Sequence, residues 1–215
     1  MANSPSPKRK YDSSRRKEQA RQTRVRIAEA ARTLFSAHGY AGATIEAIAE
    51  QAGVAKETVY AIFRNKREIL AFLLDISVGG DDLPVRLIDR PGPQAMLHDR
   101  DQRQQVRALA EGIAEVMSRA APIFEITRIA AKTEPEISRR IKRLYQERLE
   151  NMATFIRHVA ANGPLRDGMD EATATELVWA ISSPELFQLF TVYRAWTKAQ
   201  YSQWLTGVLS RLLLP

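Results

Sequence analysis

The sequence predicts an all-α protein in two parts, a small N-terminal three-helix unit joined to a larger C-terminal helical bundle. Three observations carry this. From Thr23 onward apolar residues recur three and four positions apart, and no stretch alternates apolar and polar between turn signals as a half-buried strand does. A run containing Gly79, Gly80, Pro84, Pro91, Gly92 and Pro93 interrupts that periodicity. Residues 44–63, TIEAIAEQAGVAKETVYAIF, form two short periodic runs that meet across Gly53.

Residues 1–20 are rich in Ser, Pro, Lys and Arg and poor in large apolar groups, so a disordered basic arm is expected there. The first helix is expected from about Arg24 to His38, with Ile27, Ala31 and Leu34 on one face and Gly39 ending it. Thr44 is placed to cap the second, whose buried face is Ile45, Ile48, Ala49 and Ala52. The third is short, about Ala55 to Phe63. Asn65 opens a fourth, with Glu68 three residues on in a capping-box arrangement and Ile69, Phe72, Leu73 and Ile76 as its stripe.

The Gly/Pro run over 79–93 divides an N-terminal domain, 21–81, from a C-terminal domain, 82–215, with a short helix around Val85–Asp89 between them. Beyond it, helices are expected over about 103–119, from Pro122 onward, over 134–162 and over 170–181. Ser183-Pro184 reads as a cap followed by proline at the first helical position, opening a helix to about Arg194. Thr197 opens the last, which ends near Leu213.

Composition narrows the function. There is no cysteine, which removes disulfide frameworks, thiolate metal sites and cysteine nucleophiles together. No run approaches the length of a membrane span, and the first residues carry no apolar leader, so a cytoplasmic protein without a membrane partner is expected. The three histidines, His38, His98 and His158, are scattered, and no Gly-rich phosphate loop, Gly-x-Ser-x-Gly or metal-ligand spacing occurs. No catalytic residue, metal ligand or cofactor is therefore nominated, and an enzyme is the disfavoured class. The net charge is +7, and all of it lies in residues 1–26, where nine basic side chains face two acids. Such an arm suits a polyanionic partner or is a solvated tail.

The 44–63 pattern matches a helix-turn-helix, in which the second helix enters the major groove. Gly53 supplies the positive φ of the turn, and Ala47 and Ala49 let the helices approach. Val54, Val59 and Phe63 are expected to pack inward, leaving Lys56, Glu57, Thr58, Tyr60 and Ile62 on the other side. An ordinary helical hairpin would share this bare pattern.

The wider stretch RIAEAARTLFSAHGYAGATIEAIAEQAGVAKETVYAIFRNKREIL resembles the N-terminal domain of the tetracycline-repressor (TetR) family of bacterial regulators. The marks of resemblance are Phe35-x-x-x-Gly39-Tyr40, Thr44, Ala52-Gly53-Val54, Tyr60-x-x-Phe63 and Asn65-Lys66. Three positions depart from the family pattern: Ala55 where Ser is common, Glu57 where Gly is common, and Ile62 where His is common. Ala55 removes a hydroxyl cap from the recognition helix, and Glu57 repels phosphate but can accept from a cytosine amino group.

The resemblance implies a sequence-specific regulator binding a palindromic double-stranded operator as a homodimer, most often as a ligand-responsive repressor. A transcriptional activator of the same fold and a non-specific architectural DNA binder are the alternatives. Carried over, Thr44, Tyr60 and Lys66 are expected at phosphates and Lys56 and Thr58 in the groove, with Ala55 and Glu57 beside them. Arg24, with Arg15, Arg16 and Arg21, either enters the minor groove or adds sequence-independent attraction to phosphates.

The resemblance also implies an unidentified small-molecule effector among the middle helices, with Met117, Phe124, Arg128, Tyr145, Met152, Phe155, His158 and Trp179 as candidate lining. Plain core packing gives the same spacing. Dimerisation is expected through the last helices, at Leu186, Phe187, Leu189, Phe190, Tyr193, Trp204, Leu205 and Val208. Burial within the monomer is the alternative for that stripe.

Overall fold

The computed structural model describes residues 13–215, so Lys8, Arg9 and Lys10 of the basic arm lie outside the described residues. The described residues are helical apart from short connections. They form α1 (Ser13–Gly42), α2 (Ile45–Ala52), α3 (Lys56–Ile62), α4 (Lys66–Gly79), α5 (Pro91–His98), α6 (Gln102–Ala130), α7 (Pro135–Asn162), α8 (Glu171–Ile181), α9 (Pro184–Gln188) and α10 (Lys198–Leu213).

Local chemistry sets most of the boundaries. Side-chain oxygens cap α2, α4, α6, α8, α9 and α10, from Thr44, Asn65, Asp101, Asp170, Ser183 and Thr197. Each accepts from an amide of the first turn that has no partner within the helix. Proline occupies the first turn of α5, α7 and α9, where its missing amide removes no hydrogen bond.

Four features differ from the sequence expectation. α1 starts at Ser13, eleven residues before Arg24 and inside the segment read as a disordered arm. Pairs one turn apart hold it: Arg21 bridges Glu18 and reaches across to Asp82 at 2.7 Å. The run Pro91-Gly92-Pro93, read as a break, opens α5, and the short helix expected over 85–89 is a 3-10 turn at Leu87–Asp89. α6 passes through Pro122 instead of restarting there. Pro122 is exposed while Ala120, Ala121, Ile123 and Phe124 are buried, so burial on both sides holds the helix across the lost amide. The helix from Pro184 loosens into a π-helical turn over Leu189–Tyr193.

α6 is the central element and packs against α1, α4, α5, α7, α9 and α10. Two apolar clusters flank it. The first joins the N-terminal helices, through Ile27, Phe35, Ile48, Val59, Phe63, Leu70 and Leu73, to Ile123 and Phe124 of α6 and Ile137 and Ile141 of α7. The second holds Val106 and Met117 of α6, Phe155 and Val159 of α7, Val178 of α8, Phe187 of α9 and Tyr201, Leu205 and Leu209 of α10. The halves are thus fused by apolar contact, reinforced where Arg67 meets Glu136 at 2.9 Å, Arg140 meets Asp75, and Arg119 Nε donates to the Ser77 carbonyl at 3.3 Å.

Candidate nucleic-acid interface and interior site

α2 and α3 form the helix-turn-helix. Thr44 Oγ1 accepts from the Ala47 amide at 3.1 Å and starts α2. Gly53 ends it in the left-handed region at φ 64°, where a side chain would clash with its own backbone. The Gly53 amide donates to Glu50 and the Val54 amide to Ala49, both at 3.0 Å, which closes the turn. Ala55 begins α3 with no side-chain cap, as the missing hydroxyl implies.

Helical geometry then sorts α3 by face. Val59 is fully buried and Phe63 nearly so, anchoring the helix on the first cluster. Lys56, Glu57 and Tyr60 are exposed and Thr58 is half-buried. An exposed tyrosine beside an exposed lysine, on a rigidly seated helix, can meet both a phosphate and a base edge. Thr44, Ala55, Lys56, Glu57, Thr58 and Tyr60 are therefore brought onto one helix-turn-helix unit. Ile62 is not with them; it is half-buried and packs on the first cluster.

Two expected DNA contacts have other occupations. Lys66 Nζ donates to the carbonyls of Tyr40 at 2.6 Å and Ala43 at 2.8 Å, and lies 4.4 Å from the Tyr40 ring centre. It closes the end of α1 instead of standing free for a phosphate, and burial lowers its pKa. Arg24 stacks on Phe72 at 4.3 Å and on Phe63 at 5.2 Å, so its guanidinium is held on ring faces behind the recognition helix. Arg21 is tied to Glu18 and Asp82.

Sequence reasoning missed Glu46. Its carboxylate pairs with Lys56, which the Lys56 ammonium holds below the usual carboxylate range. The backbone amide of Glu46 and the Thr44 hydroxyl add to that effect. The signal was available: Glu46 lies in the first turn of α2, where a carboxylate suits the helix dipole.

In the C-terminal half, the nominated pocket residues divide. Phe124, Tyr145 and Trp179 form an aromatic chain with successive ring centres 6.0 Å apart. Arg128 is at its edge, exposed and bonded to Glu125 at 2.7 Å. Met117 and Phe155 are buried in the second cluster and Met152 packs against it. His158 lies elsewhere, 6.4 Å from His98. None of the eight lines the groove of about 680 Å³ between α1, α4 and α6, whose walls include Arg21, Arg32, Ser77, Asp82 and Arg119.

A charged residue beside the Trp179 end of the aromatic chain was not nominated. Arg148 points inward from α7, its Nη2 donating to the Trp179 carbonyl at 2.5 Å and to Ser182 Oγ at 2.6 Å. Its place three residues after Tyr145 and four before Met152 set it on the buried stripe of α7, a detectable anomaly for a charged side chain. Burial pulls its pKa down to about 10.

The nominated dimer residues also divide. Phe187 and Leu205 belong to the chain's own core, Phe187 edge-on to the Tyr201 ring at 4.8 Å and Leu205 wholly buried. They are corrected to core residues. Phe190 stacks on Trp196 at 4.4 Å and meets Trp204 at 4.5 Å. Leu186 and Val208 are half-buried. Leu189 and Tyr193 stay 53% and 77% exposed, and Val192, which was not nominated, is 67% exposed. All three lie within the π-helical turn Leu189–Tyr193.

Residues 27–72 match the family model described as "Bacterial regulatory proteins, tetR family". The chain is similar to the HTH-type transcriptional regulator TtgR of Pseudomonas putida, 46% identical over 61 residues, which cover 28% of this chain and 29% of TtgR. The chain thus spans under a third of the length of the curated relatives it matches. Its fold matches SmeT in a complex with triclosan at TM-score 0.69 and 21% identity, over 90% of this chain and 92% of that one. SmeT is the repressor of the Stenotrophomonas maltophilia multidrug efflux pump SmeDEF. It also matches the transcriptional regulator FadR of Bacillus subtilis, in complex with stearoyl-CoA, at TM-score 0.68 and 18% identity, over 86% and 96%. At these identities the structural likeness establishes the fold. Among the described residues, no helix is long and apolar enough to cross a membrane.

Proposed function

We propose that the chain, whose residues 27–72 match the model of the tetR family of bacterial regulatory proteins, is a member of that family and acts as a homodimeric, ligand-responsive repressor of transcription. Residues 21–81 act as the DNA-binding unit and residues 82–215 as the sensing and dimerisation unit. The observation that carries the reading is the seating of α3. Val59 and Phe63 anchor it on a packed core, which leaves Lys56, Glu57, Thr58 and Tyr60 facing outward from a helix too short to serve any larger packing role.

One such helix reads few base pairs, so a second copy is needed to specify an operator. The exposed side chains of Leu189, Val192 and Tyr193 supply an apolar face for it. The two recognition helices then lie about one DNA turn apart, roughly 34–36 Å. An effector seated in the C-terminal half favours a conformation with different spacing, and DNA is released by population shift. SmeT with triclosan and FadR with stearoyl-CoA are precedents for small molecules bound within this fold.

The test is selection of DNA from a random library by the purified protein at physiological salt, beside a Lys56→Ala, Tyr60→Ala double variant. A short palindrome that the double variant no longer selects is the expected result. Enrichment of DNA without any shared motif would replace this reading with a non-specific DNA binder.

A further inference from the structure

The interior of the C-terminal half holds a cation with no bonded counter-ion. Arg148 spends Nη2 on the end of α8, through the Trp179 carbonyl and Ser182 Oγ, and its guanidinium lies 5.4 Å from the Trp179 ring centre. Its Nη1 is buried and has no partner. The hydroxyl of Tyr201, on α10, is buried without a partner as well. Both donors stand at the second apolar cluster: Tyr201 belongs to it, and Met152, one turn beyond Arg148 on α7, packs against it. Glu185, the acid that acts on Arg148 through space, is an exposed residue whose Oε1 is taken by the Tyr145 hydroxyl at 2.6 Å.

Both open groups are donors. A guanidinium cannot lose its charge at working pH, and a buried donor without an acceptor is an exception in folded proteins. A water would satisfy a hydrogen bond but leave the charge uncompensated. A carboxylate satisfies both, because its two oxygens accept from separate donors while its charge matches the guanidinium. Aromatic rings neighbour both donors: Trp179, 5.4 Å from the Arg148 guanidinium, continues through Tyr145 to Phe124, and Phe187 lies edge-on to the Tyr201 ring at 4.8 Å. Such surroundings disfavour a small hydrated ion and favour an anion carried on an apolar body.

We propose that the effector is an apolar organic carboxylate whose oxygens take the open Nη1 of Arg148 and the hydroxyl of Tyr201, its body displacing side chains of the surrounding aromatic cluster. This rests on the reading of the chain as a ligand-responsive regulator. Ligand entry pulls on the end of α8 through Arg148, and α7, which carries Arg148, also carries Arg140, the partner of Asp75 on α4. The site is therefore joined mechanically to the DNA-binding helices. A cationic effector would meet the guanidinium with like charge, and a neutral one would leave it unpaired.

The test compares 2-naphthoate and decanoate with 2-naphthamide and decanamide on the full chain. Binding is read as a thermal shift and DNA release as fluorescence anisotropy of the selected operator. The carboxylates are expected to raise Tm at millimolar concentration and the amides to leave it unchanged. Arg148→Met is expected to lose at least tenfold in carboxylate affinity and Tyr201→Phe several-fold. Arg148 also closes α8, so Arg148→Met can fail to fold; Tyr201→Phe removes only an unpartnered hydroxyl and keeps the proposal testable alone. Equal response to acid and amide, no carboxylate binding, or carboxylate binding that Tyr201→Phe leaves intact would each overturn it. DNA release by an amide alone overturns the anion site while upholding a ligand-responsive regulator. Carboxylate binding sensitive to Tyr201→Phe that leaves operator affinity unchanged upholds the anion site and removes the sensing role.

Discussion

The Lys56 ammonium, on the exposed first turn of the recognition helix, is paired with the Glu46 carboxylate of the preceding helix. A DNA phosphate or guanine edge must compete with Glu46 for that lysine. Exposed pairs of this kind are weak, so the competition is a modest tax rather than a block. Glu46→Gln is expected to tighten binding to both operator and random duplex by about two- to fivefold, with a steeper dependence of affinity on salt. Anisotropy titrations at several salt concentrations check this; weaker binding by Glu46→Gln would mean that Glu46 orients Lys56 instead of competing for it.

Lys66 serves the fold before it serves DNA. Its ammonium holds the carbonyls of Tyr40 and Ala43 at 2.6 and 2.8 Å. Lys66→Met leaves these acceptors without a charged donor and is expected to lower stability by about 2 kcal/mol. The slope of log affinity against log salt is expected to stay as in the wild type, since no phosphate contact is lost. Urea unfolding and salt titration of the same sample separate the two effects. A slope reduced by about one would restore Lys66 to the phosphate contacts.

The exposed trio Leu189, Val192 and Tyr193 predicts the oligomeric state. Leu189→Glu with Val192→Glu places two charges on the proposed shared face and is expected to halve the mass measured by light scattering after size exclusion. Helical content by circular dichroism is expected to be unchanged, because both positions face outward. A double variant of unchanged mass would move the interface elsewhere, to the half-buried stripe of Trp204 and Val208.

The segment between the halves is fastened by Asp81, which accepts from Arg90 at 2.7 and 2.9 Å in a two-pronged pair. The Arg90 guanidinium and then the Leu83 amide pull the Asp81 carboxyl from its ordinary 3.8 down to about 2. A carboxylate depressed in the folded state stabilises above its unfolded value, and that contribution disappears as pH falls through the folded one. Asp81→Asn is expected to lower Tm at neutral pH, with the deficit narrowing as pH drops from about 4 towards 2. Solvent exposure of the pair keeps the effect small. A deficit independent of pH would assign Asp81 a role other than the charge pair.

Much of the fold was legible because it is written locally. The caps at Thr44, Asn65, Ser183 and Thr197, the left-handed turn at Gly53 and the inward stripe of Val59 and Phe63 each follow from residues within a turn or two of one another. The uncapped start of α3 at Ala55 was equally local. The outward set of Lys56, Glu57 and Tyr60 followed from helical spacing alone, whereas Ile62 turned inward because the first cluster extends under the end of α3.

What the chain order by itself determined is the all-helical character, the helix-turn-helix and its exposed face, since hydrophobic period and capping act over a few residues. Only the tertiary structure decided where long side chains spend their polar ends. Lys66 closes α1 from 23 residues or more away, Arg24 lies on Phe72, and Arg148 crosses to Trp179 and Ser182 more than 30 residues on. Phe187 and Leu205 share a stripe type with Leu189 and Tyr193, yet the first two are core and the last two are surface. Periodicity tells which face of a helix is apolar; which apolar face meets its own chain and which is left for a second copy depends on how α6, α9 and α10 pack, and that is a contact between distant segments.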